Sequence, residues 1–115
     1  MKPNDIVTVY VAFTNKKGGK RRPILVVADK EERIEFFGIT SQFENKSDRI
    51  KRQYFPISNW KKAGLNKQSW IDVGALRALD KSRENITYKK VGKLTIGDMK
   101  RLNDFIENRN NEREA

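Results

Sequence analysis

The seven residues Lys16-Lys17-Gly18-Gly19-Lys20-Arg21-Arg22 concentrate much of the chain's chemical capacity. Paired glycines allow a ligand to approach the backbone closely. The surrounding cations can neutralise phosphate oxygens. The same residues also describe an ordinary solvated turn, because Gly-Gly is a turn signal and flanking charges hold a loop in water. The rest of the inventory is restrictive. The chain contains no His and no Cys, which excludes a zinc site of the usual kind, an imidazole acid or base and a thiol nucleophile. It has neither GxxxxGK[ST] nor GxGxxG, so nucleotide-loop chemistry is not indicated. Any catalysis must rest on Arg, Lys, Ser, Thr, Tyr or carboxylates.

A chain of 115 residues is enough for one domain with a modest core. Its 25 Lys and Arg against 15 Asp and Glu give a net charge of +10. This charge balance says nothing about fold but points to a polyanionic partner: RNA, DNA, an acidic protein or an anionic membrane face. No apolar run approaches the roughly 18 residues of a membrane-spanning helix. The first residues, with Asp5 among them, lack the pattern of a signal peptide. The expectation is a soluble, cytoplasmic protein without disulfides.

The elements that must position this chemistry follow from periodicity. Asp5 to Phe13 alternates, with Val7, Val9, Val11 and Phe13 on one face, which predicts a strand. Pro23 opens a buried strand through Ala28, so the cations before it are expected in the loop. Ile34 to Thr40 is a third strand, Ser41 to Arg52 a mobile loop, and Gln53 to Ser58 a fourth strand. A short helical turn from Asn59 closes at Gly64. Trp70 to Leu79 reads as a long strand bent at Gly74, with a helix over Gly74 to Leu79 as the competing reading. Asn85 to Val91 is a last short strand. Thr95 and Asp98 resemble a capping box. Behind them Ile96, Met99, Leu102, Phe105 and Ile106 fall at helical spacing, with the helix ending near Asn108. The expectation is therefore mainly β with a C-terminal helix (α+β): a small, strongly bent barrel closed on one side by that helix. The domain spans 1–108, followed by a polar tail at 109–115.

In this order the pieces resemble a known family. A strand leads into Gly19-Lys20-Arg21-Arg22-Pro23-Ile24-Leu25-Val26-Val27, and a later strand ends Gly38-Ile39-Thr40-Ser41-Gln42. Trp70-Ile71-Asp72-Val73 then leads to Arg77-Ala78-Leu79-Asp80-Lys81-Ser82, and Val91-Gly92-Lys93-Leu94 precedes the helix. Over about residues 3 to 107 the series is similar to the MazF/PemK toxins. The resemblance implies an SH3-like barrel, a homodimer, sequence-preferring cleavage of single-stranded RNA without cofactor or metal, and neutralisation by a cognate acidic antitoxin. It also implies a catalytic pair, Arg22 and Thr40, with Lys16, Lys17, Gly18, Gly19, Lys20, Arg21 and Ser41 contacting substrate. One departure stands out. Many members carry an acidic residue and a Gln before the paired glycines, where this chain has Lys16 and Lys17.

The implied chemistry is sound, because the ribose 2′-hydroxyl can attack its own phosphate and no protein nucleophile is needed. Arg22 would stabilise charge on the phosphorane through its planar fork. Thr40 would hydrogen-bond a phosphate oxygen or the 2′-hydroxyl. Neither is a strong base, so the base is unassigned. From the residues alone, Arg22 also reads as a solvated edge charge and Thr40 as an ordinary strand residue. Trp60 and Trp70 suit core packing or base stacking. Arg77 is expected to pair with Asp72 or Asp80. Two other functions use the same barrel: a protein-binding poison in the manner of the gyrase-directed toxins, and a plain nucleic-acid-binding module.

Overall fold

The computed structural model describes residues Met1–Glu114. The elements in chain order are β1 (Asp5–Ala12), β2 (Gly19–Asp29), β3 (Arg33–Thr40), the single turn α1 (Asp48–Lys51), β4 (Tyr54–Pro56), β5 (Trp70–Asp80), β6 (Ile86–Lys93) and α2 (Ile96–Glu114). The strands form one antiparallel sheet in the order β4-β5-β3-β2-β1-β6. This is the expected α+β, barrel-like architecture, but the sheet does not close, because β4 and β6 are left as edges.

Strand alternation divides the apolar residues between two clusters. One face carries Ile6, Leu25, Ile39, Ile71 and Val73, which pack with Phe55, Ile57, Ala63 and Leu102 of α2. The other carries Val7, Val9, Ile24, Val26, Ile34 and Phe36, joined by Leu79 of β5 and by Ile86 and Tyr88 of β6. Since β5 and β6 are separated by three strands in the sheet, their meeting in one cluster requires the sheet to curl around it. The second cluster is thus the interior of an open barrel, and the first lies between the sheet and α2.

Three expectations change. β2 begins at Gly19 rather than at Pro23, so Lys20, Arg21 and Arg22 are strand residues paired with Val11, Tyr10 and Val9. The hairpin to β1 pulls them into the ladder. The segment expected as a mobile loop contains α1, whose Ser47 cap accepts the Ile50 N–H at 3.3 Å. α2 does not stop near Asn108 but runs to Glu114, where neither Gly nor Pro interrupts it. Ile96, expected on its apolar stripe, is 70% exposed. It sits roughly 160° around the helix from Asp98, and Asp98 is the residue that faces inward.

The connector before β5 is locked to β6 through two glycines. Gly64 has φ +93°, and a Cβ on it would run into the Val91 carbonyl. A Cβ on Gly92 would run into the carbonyl oxygen of Ala63. Both neighbours are backbone and cannot swing aside. Gly92→Ala is expected to cost about 1–3 kcal/mol through overpacking, read as a lowered urea midpoint with an unchanged slope.

Candidate functional site

The site is assembled by strand register. Val9 faces Arg22, Ile24 faces Gly38, Thr40 faces Trp70, and Gly38 faces Asp72. Asp72 and Trp70 in turn face Tyr54 and Pro56. Continuing the β2–β3 register past Ile24 and Gly38 sets Arg22 across from Thr40. Two adjacent rows therefore cross the sheet: Val9, Arg22, Thr40, Trp70, and beside it Ile24, Gly38, Asp72, Tyr54. Members of such rows share a face, and where the strands are paired, neighbours are about 5 Å apart and diagonal partners about 7–8 Å apart; the β2–β3 pairing itself ends at Ile24 and Gly38. Arg22, Thr40 and Asp72 thus project from the barrel-interior side, away from α2.

These side chains line a cavity of about 480 Å³. Arg22, Lys20, Thr40, Tyr54, Asp72 and Arg77 surround it, over an apolar floor that includes Val9, Ile24, Phe36 and Leu79. Gly38 belongs to the same lining, and a Cβ built on it meets nothing within 4 Å. The absence of a side chain there keeps the middle of the site open. Behind the strand ends lies a second recess of about 410 Å³, lined by Thr8, Arg21, Ser41, Gln42 and Lys67 among others. Arg22 and Thr40 border both recesses, so they form the ridge between them. A larger recess of about 760 Å³ lies between Glu31, Arg33, Asp80 and Lys81. Its charges are mixed in sign, and it contains neither Arg22 nor Thr40.

Arg22 is exposed and makes no ion pair among the described residues, so its guanidinium is available to an anion. The Thr40 hydroxyl oxygen accepts the Gln42 N–H at 3.0 Å. That leaves the hydroxyl proton free to be donated. Asp72 is half-buried. Its Oδ1 accepts the Gly74 N–H at 2.9 Å, which fixes the carboxylate plane. Burial, and after it the Asp72 charge, pushes the Tyr54 hydroxyl above its ordinary value against the opposing pull of Arg77. Tyr54 is therefore a neutral hydrogen-bond donor at physiological pH. Phe43 lies flat on Trp70, with ring centres 4.7 Å apart, and Lys51 covers Phe43 at 5.1 Å. This shelf adjoins Thr40 through its register partner Trp70. Trp60 packs instead against the helix-side cluster.

The other residues named from sequence are dispersed. Lys20 shares the cavity with Arg22. Arg21 points to the opposite face, with its guanidinium 5.3 Å from the Tyr10 ring centre, and Ser41 lines the second recess with it. Lys16 folds over Phe13 at 4.7 Å, in the hairpin where Gly18 has φ +93°. Lys16, Lys17, Gly18 and Gly19 line neither recess. Arg77 forms no ion pair with Asp72 or Asp80 among the described residues, and Asp80 Oδ1 instead accepts the Ser82 N–H and hydroxyl, each at 2.8 Å. Sequence reasoning missed the cavity positions of Asp72, Tyr54 and Arg77. The signal available was parity: Asp72 stands between Ile71 and Val73 in an alternating strand, and so on the face opposite theirs.

No helix is long and apolar enough to cross a membrane among the described residues. No curated protein matches the chain. A family model, that of the PemK-like, MazF-like toxin of type II toxin–antitoxin systems, matches residues 2–108. On the strength of a match over nearly its whole length, the chain belongs to the family of PemK-like, MazF-like toxins.

Proposed function

We propose that this toxin is a metal-independent endoribonuclease that cleaves single-stranded RNA by attack of the ribose 2′-hydroxyl on the adjacent phosphate. The observation that carries this reading is the juxtaposition of Arg22 and Thr40 across neighbouring strands, on the rim of an open cavity. An unpaired guanidinium can take two phosphate oxygens in a fork and stabilise the charge that develops on the phosphorane. The free Thr40 proton can hold a third oxygen. The protein's task is then positioning and electrostatics, because the nucleophile belongs to the substrate. The apolar floor limits hydration of the reacting phosphate and strengthens both interactions.

The working form is a homodimer in the cytoplasm, with RNA crossing a basic groove between the subunits. A toxin of such a system has an antitoxin partner. The surface charge of +10 favours one with an acidic, largely disordered segment, which orders on binding and competes with RNA for the cationic face. The reading is tested by incubating a long transcript of mixed sequence with the protein in excess chelator. Discrete fragments are expected, with 2′,3′-cyclic phosphate ends before any further hydrolysis. Binding without fragments, or cleavage that requires added metal, would overturn the proposal.

Lys20 flanks Arg22 on the same face, while Arg21 points away. Lys20→Ala is expected to weaken binding of all single-stranded RNA sequences about equally. It should also flatten the slope of log affinity against log salt by about 0.7. A changed cleavage motif would place Lys20 at a base edge instead.

A further inference from the structure

We propose that Asp72 is the general base of the cleavage reaction, accepting the proton of the attacking 2′-hydroxyl at its Oδ2. The inference rests on the ribonuclease reading and supplies the part that Arg22 and Thr40 cannot, since neither a guanidinium nor a hydroxyl removes a proton readily at neutral pH. Among the described residues Asp72 is the one carboxylate lining the cavity that holds this pair. It stands diagonal to Thr40 across the β3–β5 ladder, with Gly38 as its direct partner. The diagonal spacing of about 7–8 Å leaves room for a ribose and its phosphate between the acceptor and the charge-stabilising pair. Gly38 contributes no side chain to fill that room.

The carboxylate is also prepared for the role. Oδ1 is held by the Gly74 N–H at 2.9 Å, and Oδ2 has no hydrogen-bond partner among the described residues. One oxygen is anchored and the other is free to take a proton. The charged or titratable groups around it are Arg22 and Lys20 on β2, Tyr54 on β4 and Arg77 on β5. Three of the four are cations and the fourth is a hydroxyl, so Asp72 is the one proton acceptor among them.

In the step itself, the 2′-oxygen forms a bond to phosphorus as its proton passes to Asp72. The bond from phosphorus to the 5′-oxygen breaks. The departing oxygen takes a proton from solvent, and Asp72 returns its own proton to solvent. The products are a 2′,3′-cyclic phosphate and a free 5′-hydroxyl, with no water consumed.

The experiment measures kcat/KM on a mixed-sequence transcript from pH 4.5 to 9 for the wild type, Asp72→Asn, Asp72→Glu and Arg22→Ala. RNA retention and thermal melting are measured on the same samples. Asp72→Asn keeps the oxygen that accepts from Gly74, so the fold is expected to survive and RNA to be retained within about threefold. Its cleavage is expected to fall by about 10²- to 10⁴-fold. Asp72→Glu, which restores a carboxylate one methylene further out, should keep partial activity. Should Asp72→Asn melt early, Asp72→Glu decides: a folded glutamate variant as inactive as Arg22→Ala removes Asp72 as the base. Near-normal cleavage by Asp72→Asn alongside an inactive Arg22→Ala overturns this inference alone. A wild type that cuts no RNA at any pH overturns the ribonuclease reading, and the base with it.

Discussion

Arg22→Ala is expected to abolish RNA cleavage, a loss of about 10³-fold or more, while the protein keeps its secondary structure and melting temperature. The magnitude follows from the role: removing one preorganised donor from a developing oxyanion costs about 10²- to 10³-fold, and an arginine meeting a transferring phosphoryl group contributes up to about 10⁵-fold. The preserved fold follows from position. Arg22 is exposed and belongs to neither apolar cluster, and such surface changes shift stability by about 0.5 kcal/mol or less. Arg22→Lys is expected to recover little, because an ammonium is a point charge and cannot grip two oxygens in one plane. Cleavage rates on a fluorescent transcript and circular dichroism on the same samples form the test. A folded alanine variant with ordinary activity would remove Arg22 from the mechanism.

The second large effect concerns stability. Asp98 is fully buried, yet every element of its surroundings answers its charge. It accepts the Ser58 N–H at 3.2 Å, the Asn59 N–H at 2.9 Å and an Arg101 N–H at 2.7 Å. The Thr95 hydroxyl caps the helix by accepting the Asp98 N–H at 3.3 Å. The carboxylate thereby joins the first turn of α2 to the connector after β4, more than a helix cap requires. Asp98→Ala is expected to cost about 2–4 kcal/mol, since it leaves the Ser58 and Asn59 N–H donors without a partner, whereas Arg101, half-exposed, can turn to water. For a domain of this size that is a fall of roughly 7–20 °C in melting temperature. A loss under about 1 kcal/mol in urea denaturation would show the network to be dispensable.

The same residue dictates an acid response. Burial alone raises the Asp98 carboxyl, but the Asn59 N–H, Arg101 and the Ser58 N–H together outweigh it and hold it below its usual value. A depressed folded value means the unfolded chain binds the proton more readily. The contribution is therefore complete above the unfolded value of about 3.9 and is lost as pH falls through the folded one. The Asp98→Ala variant should lack this part of the wild type's acid sensitivity.

The sequence revealed the elements better than it revealed the site. Alternation through Val7, Val9 and Val11, and helical spacing through Met99, Leu102, Phe105 and Ile106, are local signals, and the strands and helix they imply are present. Pro23 marks a strand start in the sequence, yet strand pairing to β1 continues past it to Gly19. The helical period of Ile96 fixes spacing but not which residue faces inward, and the buried position belongs to the carboxylate of Asp98. The nearness of Arg22 to Thr40 depends on the β2–β3 pairing, and that of Asp72 depends on β5 returning beside β3. Neither is a local property. Family resemblance supplied the first pair, and only the folded register brought the third residue to it.

That register has a consequence for how such a protein can change over generations. Residues may be gained or lost in the Ser41–Gln53 segment, or at the tip of the Phe13–Gly18 hairpin, without turning any residue of the two rows. A single residue inserted between Ile39 and Thr40 would rotate Thr40 to the helix side and leave Arg22 alone, because side chains alternate with each step along a strand. A two-residue insertion would restore the face but displace the hydroxyl by about 6.6 Å. Descent with altered loop lengths can thus move the surroundings of the cavity by small degrees, whereas the row of Arg22 and Thr40 is inherited whole or lost.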